Sequence, residues 1–398
     1  MANTHASLTA LFVDIADAIR EKTGDIATIV ADDFPDVIRE RLQVIPIIPY
    51  LTFSSPSSFT LKVNDATKHW NGTLEYSTDT STWSTWDGTT TLSSATSGSD
   101  NVLYLRGTGN TMITGWSSLS YKWVLTGTDI SCIGNIENLL DYATVKSGAH
   151  PTMATYCYSY MFRGCTALTQ APALPATTLA DYCYYGMFFG CTSLTKAPAL
   201  LATTLAESCY SAMFSGCTSL IQAPALSATT LAIDCYSSMF RGCTALTQAP
   251  ELPATTLAND CYRSMFNRCT SLTQAPSELP ATTLANCCYQ YMFEFTAITA
   301  IPKIMATTYA TDSCKGMFDD IKTLNVYSSS EPGHEYGWTA PASTYCSGMF
   351  GSDDGESEWA KLDGSNFPNS GTPTEGATYY FATVDANANY LSNTNTIV

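Results

Sequence analysis

The side chains in this 398-residue chain best able to do chemistry are its 15 cysteines. Twelve of them fall between Cys157 and Cys288, several in pairs eight apart such as Cys157/Cys165 and Cys183/Cys191. A structural zinc site needs closely spaced thiolates backed by His or further Cys. There is no Cys-x-x-Cys, and the four histidines (His5, His69, His150, His334) are scattered, so no metal site is expected. The same thiols would make a disulfide framework in a small secreted chain. Recurring at a fixed step, they read instead as small buried hydrophobes in the reduced state. No Gly-x-Ser-x-Gly, P-loop or Gly-x-Gly-x-x-Gly stands in a supporting context. Gly107-Thr-Gly109 reads as a turn, and the acid pair Asp319-Asp320 has nothing to set it up for proton transfer. The expectation is a protein that binds and does not catalyse, with no cofactor. Trp83, Trp86 and Asp87 are open to two readings: a sugar-stacking platform, or rings that close the core of a small β domain.

The elements that position these residues are dominated by a repeat. Met-Phe stands at Met161-Phe162, Met187-Phe188, Met213-Phe214, Met239-Phe240 and Met265-Phe266, each step being 26 residues. It recurs at Met292-Phe293, Met317-Phe318 and Met349-Phe350, with steps of 27, 25 and 32. A constant period in this range predicts stacked coils, each burying its apolar face on its neighbours. In the coil 173–198 the apolar positions are Leu174, Leu179, Cys183, Met187, Phe188, Cys191 and Leu194. Thr177-Thr178-Leu179 favours extended structure. The segment from Asp181 to Phe188 reads as a short helical or 3₁₀ turn ended by Gly190. The prolines at 172, 198, 224, 250 and 276 mark one corner.

The string Tyr-Cys-Tyr-x-x-Met-Phe-x-Gly-Cys-Thr-Ser-Leu-Thr resembles the BspA-type leucine-rich repeat. The Met-Phe pair takes the anchor position, and Cys165, Cys191, Cys217, Cys243 and Cys269 take that of the buried Cys. The resemblance decays beyond Phe293 and implies a right-handed solenoid with short parallel strands, used mostly as a binding scaffold. Slots inside the repeat vary while the rest stays fixed, among them Tyr160, Arg163, Tyr185, Phe189, Arg241, Arg263, Asn267 and Tyr291. A packed core tolerates no change from Ser to Arg to Phe, so these slots are expected outside it. They are surface drift, or a recognition face rich in the residue types of binding hot spots.

Before the repeat, residues 1–45 read as two short helices, the first with Leu8, Leu11, Phe12, Ile15 and Ile19 on one face. The string Ile15-Ala-Asp-Ala-Ile-Arg-Glu-Lys-Thr-Gly24, followed by Asp33-Phe-Pro-Asp-Val-Ile38, resembles the N-terminal segment of phage tail and fibre proteins. Two helices this short need a partner, so attachment is expected here: to other virion proteins, to copies of the chain (a trimer, as is common in phage fibres), or both. Residues 46–127 hold short β-type runs separated by Ser, Thr, Gly and Asp clusters, the pattern of a small β-sandwich. The coils span 128–350 with an atypical first coil over 128–142, and a loop is inserted at Ser328 to Trp338. Residues 351–398 are expected to form a C-terminal cap, in which the acidic cluster Asp353, Asp354, Glu356 and Glu358 is open to two readings, a calcium site or a solvated turn. The absence of the spacing of a defined calcium loop favours the turn. The fold class expected is mixed but mainly β: short N-terminal helices, a small β-sandwich, a leucine-rich-repeat solenoid of 26-residue coils and a C-terminal cap.

The formal net charge of −17 argues against nucleic acid, which needs a basic face. No stretch approaches the roughly 20 apolar residues needed to span a bilayer, so no membrane insertion is expected. Leu8 to Ile19 is interrupted by Asp14 and Asp17 and lacks the form of a signal peptide. These readings converge on a bacteriophage virion structural protein, a fibre or appendage that binds a host cell-surface protein or glycan through its solenoid. The alternative is a bacterial surface or secreted leucine-rich-repeat adhesin.

Overall fold

The computed structural model describes residues 49–115, 122–321, 330, 332–351 and 371–382. The attachment helix read from Leu8, Leu11, Phe12, Ile15 and Ile19, the acidic cluster at 353–358 and the tail from 387 lie outside the described residues. Within them the fold is mainly β, with several sheets, none closed, and two helices, α1 (Asn138–Lys146) and α2 (Ser343–Cys346).

Alternation of large apolar and small polar residues builds the first part. In β1 (Leu51–Ser55), Leu51 and Phe53 point into the core while Thr52 and Ser54 stay part-exposed. The long strand β7 (Asp100–Thr108) pairs antiparallel with β1, placing Phe53 opposite Leu103, and on its other side with β3 (Thr73–Ser77). β9 (Ile130–Ile133) pairs antiparallel with β1 and parallel with β10 (Leu168–Gln170), a strand of the first repeat. One sheet therefore runs from the segment before 128 into the repeats. A second sheet holds β2 (Thr60–Val63) between β5 (Leu92–Ser93) and β8 (Trp123–Thr126). Its Trp123 meets Trp86 at 5.5 Å and the first repeat phenylalanine, Phe162, at 6.1 Å, both edge-on. The end of the repeat core that would face water is thus closed by aromatic rings.

The repeats do not hold the helical turn expected over Asp181–Phe188. A helix spends every interior N–H within its own segment and leaves none to join the next coil. Here the N–H groups alternate. Those of Cys183, Tyr185, Met187, Phe189 and Cys191 close turns on the residue three before. Those of Tyr182, Tyr184, Gly186, Phe188 and Gly190 donate to carbonyls of the following repeat, for example Phe188 N to Met213 O at 2.9 Å. Every second turn has its third residue at positive φ, as at Tyr182, Gly186 and Gly190, the requirement of a type II turn. The same rungs recur down the stack and absorb the irregular steps. Across the 32-residue step, Asp312 N still donates to Thr344 O and Phe318 N to Met349 O. Between these rungs and the last repeat, Tyr336–Thr339 forms β13, paired antiparallel with β14 (Thr378–Phe381). On the opposite side of each coil the extended residues meet as single parallel bridges 26 residues apart, such as Leu174–Leu200 and Thr178–Thr204.

Identical residues at one register form continuous rows. Phenylalanine rings stack nearly parallel from Phe162 to Phe350, with neighbouring centroids between 5.5 and 5.9 Å apart. A row of buried tyrosines runs from Tyr158 through Tyr184, Tyr210, Tyr236 and Tyr262 to Tyr289. Leu179 and Leu205, expected in the core, are only partly buried. All 15 cysteines are free thiols and 14 are buried. Their S–H groups have work: Cys191, Cys217, Cys243 and Cys269 each donate to the carbonyl of the preceding repeat's phenylalanine, at 3.0–3.1 Å. Burial pushes the Cys217 thiol up to about 12, so it remains the protonated donor this bond requires.

Candidate recognition face

The turn side of the coils carries the variable slots, because the rung bonding there uses only backbone and places no demand on the side chain. Three pairs of columns emerge on it: the two residues before Cys-Tyr, the two after it, and the two after Met-Phe. On the first two repeats these slots bring together Tyr160, Arg163, Tyr185 and Phe189, all part-exposed. Tyr160 and Tyr185 meet edge-to-face at 5.0 Å. The Arg163 guanidinium lies over both the Tyr160 ring (5.2 Å) and the Phe189 ring (5.1 Å), a cation–π arrangement that holds both rings. Tyr160 also lies across Gly186 of the next coil. A Cβ there would sit 2.5 Å from the Tyr160 ring, and φ at Gly186 is +54°. Glycine at this slot serves both the backbone and the ring.

Two members of this patch escape a reading confined to the slots after Cys-Tyr and Met-Phe. Tyr156 and Tyr182 stack at 4.6 Å, and Tyr182 meets Tyr185 at 5.8 Å. The Tyr182 hydroxyl donates to Glu207 Oε1 at 2.7 Å. That bond, and then burial, raises the Tyr182 phenol above its ordinary value. Burial, with the Tyr185 hydrogen bond added, raises Tyr160. The available signal was the variable pair that precedes each Cys-Tyr, Thr155-Tyr156 and Asp181-Tyr182 among them.

The remaining expected residues lie further down the stack. Arg241 and Arg263 are exposed, the latter 3.4 Å from Asp260. Tyr291 is part-buried over Gly316, where a Cβ would come within 2.4 Å of its ring. Asn267 corrects the expectation that a variable slot lies outside the core, since it is only 4 % exposed. Its Oδ1 accepts from Arg241 Nε at 3.3 Å and its amide donates to Glu294, so it links neighbouring coils. Ser211 and Ser215 are buried in the same columns, with hydroxyls donating to Ser237 O and Arg241 O at 3.2 Å. The packing argument fails at these slots because a small polar side chain folds down onto the carbonyls of the next coil, and larger neighbours cover it.

The tryptophans divide. Trp86 is buried against Trp70, with ring centroids 5.1 Å apart, and belongs to the core. Trp83 is part-exposed, with the Arg106 guanidinium 4.0 Å from its centroid. Arg106 in turn pairs with Glu75 at 2.8 Å. Among the described residues no group of three or more His, Cys, Asp or Glu is placed to hold a metal ion. Nor is any helix among them long and apolar enough to cross a membrane. Comparison of the chain with protein-family models, with curated proteins and with solved structures gives no match.

Proposed function

We propose that the chain is a bacteriophage virion structural protein, a fibre or appendage in which a leucine-rich-repeat solenoid, capped by a small β-sandwich, displays a face that binds the host cell surface. Residues 1–45 attach it to other virion proteins and assemble a homo-oligomer. The observation that carries this reading is the division of labour within each repeat. Rows of Cys, Tyr, Met and Phe are fixed and buried, while the turn-side slots change from coil to coil and gather Tyr160, Arg163, Tyr185 and Phe189 into one part-exposed patch. Aromatic residues and arginine supply most binding energy at protein surfaces, and a stack held by its backbone can change them without refolding. The resemblance of Ile15–Gly24 to phage tail proteins supports attachment at that end.

The test is immunogold electron microscopy of lysates with an antibody to the repeats. Gold on virus particles is expected, and its position separates tail from capsid. Gold confined to bacterial envelopes would reject the virion and favour the adhesin.

A further inference from the structure

We infer that the aromatic patch on the first two repeats is a carbohydrate site that takes an uncharged glycan, with the chain continuing along the stack over the third and fourth repeats. The inference rests on the repeats being a display surface and adds the chemical class of what they bind.

The patch is amphipathic in the way a sugar requires. A pyranose presents a C–H face and an equatorial rim of hydroxyls. Tyr160, Tyr185 and Phe189 offer ring surface, and the phenols, Glu207, Asp181 and Arg163 offer donors and acceptors at its edge. The rings are already fixed by edge-to-face contacts and by the guanidinium, so little side-chain entropy is lost on binding.

Charge selects among polymers. Around the patch Arg163 and Lys122, whose Nζ would lie 3.8 Å from a Cβ on Gly164, stand against Asp181 and Glu207, the latter from the third repeat, in a chain of formal net charge −17. An anionic polysaccharide or a nucleic acid would be repelled by the net charge of the chain and drawn only by Lys122 and a guanidinium already held between two rings, both offset by Asp181 and Glu207. A neutral glycan meets neither penalty.

The third repeat then provides a path. In the four columns after Cys-Tyr and after Met-Phe it carries Ser211, Ala212, Ser215 and Gly216, and the fourth carries Ser237, Ser238, Arg241 and Gly242. In these four columns nothing larger than serine stands on the third repeat, while the larger Glu207 and Ile233 stand to one side in the columns before Cys-Tyr, so a linear chain stacked on Phe189 can pass on along the stack as far as Arg241 of the fourth. Phe189 and Ser215 occupy one column on adjacent coils and are both outside the positive-φ positions, so either accepts substitution without backbone strain.

The experiment probes the full-length protein on a printed array of neutral and acidic glycans, then titrates the strongest neutral oligosaccharide by calorimetry against wild type, Phe189→Ala, Phe189→Tyr and Ser215→Tyr. Binding to neutral glycans is expected. Phe189→Ala should weaken it at least tenfold, Phe189→Tyr should retain it, and Ser215→Tyr should weaken binding of long oligosaccharides more than short ones. Circular dichroism of each variant separates lost binding from lost fold. Binding only to acidic glycans, no glycan binding, or neutral-glycan binding indifferent to Phe189→Ala would each overturn the inference. Gold on virus particles together with an empty array would leave the fibre reading standing and remove only the carbohydrate.

Discussion

The buried thiols make the fold labile to alkali by an amount set by their number. An unfolded cysteine ionises from its ordinary value of 9.0, whereas burial pushes Cys165, Cys209, Cys217, Cys269 and Cys288 in the folded chain to about 12. A folded value above the unfolded one means that the native state holds its protons longer. Stability is therefore fully present below pH 9 and is lost as pH rises towards 12. At pH 10 each such thiol costs on the order of 1 kcal/mol, and the five together several kcal/mol, set against a total stability of roughly 5–15 kcal/mol. The buried tyrosines, headed by Tyr158 and Tyr184, are raised by burial and act in the same direction at slightly higher pH.

The assay is urea unfolding followed by circular dichroism under reductant, from pH 7 to 11. The midpoint should hold steady to about pH 8.5 and then fall steeply. Cys217→Ala separates thiols from phenols. It loses stability at pH 7 through the missing bond to Phe188 O and the small void. Its stability should then fall less steeply above pH 9, by roughly 1.4 kcal/mol per pH unit for the one proton removed. Alkylation of the native protein at pH 8.5, read by mass spectrometry, should label Cys287 first, because it alone of the 15 is not buried. A midpoint flat to pH 11, an unchanged slope in Cys217→Ala, or rapid labelling of the row cysteines in native protein would refute the buried-thiol account.

Two substitutions test the packing. Phe214→Ala removes a ring held between Phe188 at 5.6 Å and Phe240 at 5.8 Å and should cost about 3–5 kcal/mol in urea unfolding; a loss under 1 kcal/mol would mean the row is not packed as described. Gly107→Ala would put a Cβ 1.7 Å from the Leu139 carbonyl, so β7 and the start of α1 must part. That variant should be recovered mainly in the insoluble fraction, and a soluble protein with an unchanged midpoint would contradict the close approach.

How far the fold can be read from sequence depends on whether a residue's role is repeated. Met187, Phe188 and Cys191 are legible because the same burial recurs 26 residues on, which leaves little room for another explanation. Tyr184 recurs as regularly, yet a hydroxyl counts against burial when residues are judged one at a time. In the stack its ring lies between Tyr158 and Tyr210, and the row buries the phenols with it. The turns over Asp181–Phe188 differ from the expected helical turn for another reason. Helical and alternating hydrogen bonding share the i to i−3 spacing locally, and only the next repeat shows where every second N–H goes. Asn267 is buried although its slot varies, because its amide bonds to the coils on either side. Of the part-exposed aromatic patch, Tyr160, Arg163, Tyr185 and Phe189 are legible as variable slots, and its extent is not, since Tyr156 and Tyr182 join through ring contacts.

The alternating pattern also bears on how such a face changes. In a helix or a paired strand a new side chain competes with its own element, through propensity, caps and cross-strand neighbours. Here the exposed slots sit on turns whose N–H groups bond either three residues back or into the next coil, and both bonds are indifferent to side-chain type. The exceptions are the three columns at positive φ, which hold the residue before Cys-Tyr, as at Tyr182, the second residue after it, and the second after Met-Phe, as at Arg268; the middle column shows the consequence. Tyr160, Ala212, Ser238, Ser264 and Tyr291 all hold positive φ at the position where Gly186 and Gly316 stand. A non-glycine residue there bears strain of about 1–2 kcal/mol. Two of these five are tyrosines, each laid over the glycine of the following coil, so a bulky ring at a strained slot is tied to a glycine one repeat on. Replacement of either glycine alone would displace the ring as well as strain the turn. The face therefore varies freely at Arg163, Tyr185 and Phe189 and only in linked pairs at Tyr160 and Tyr291.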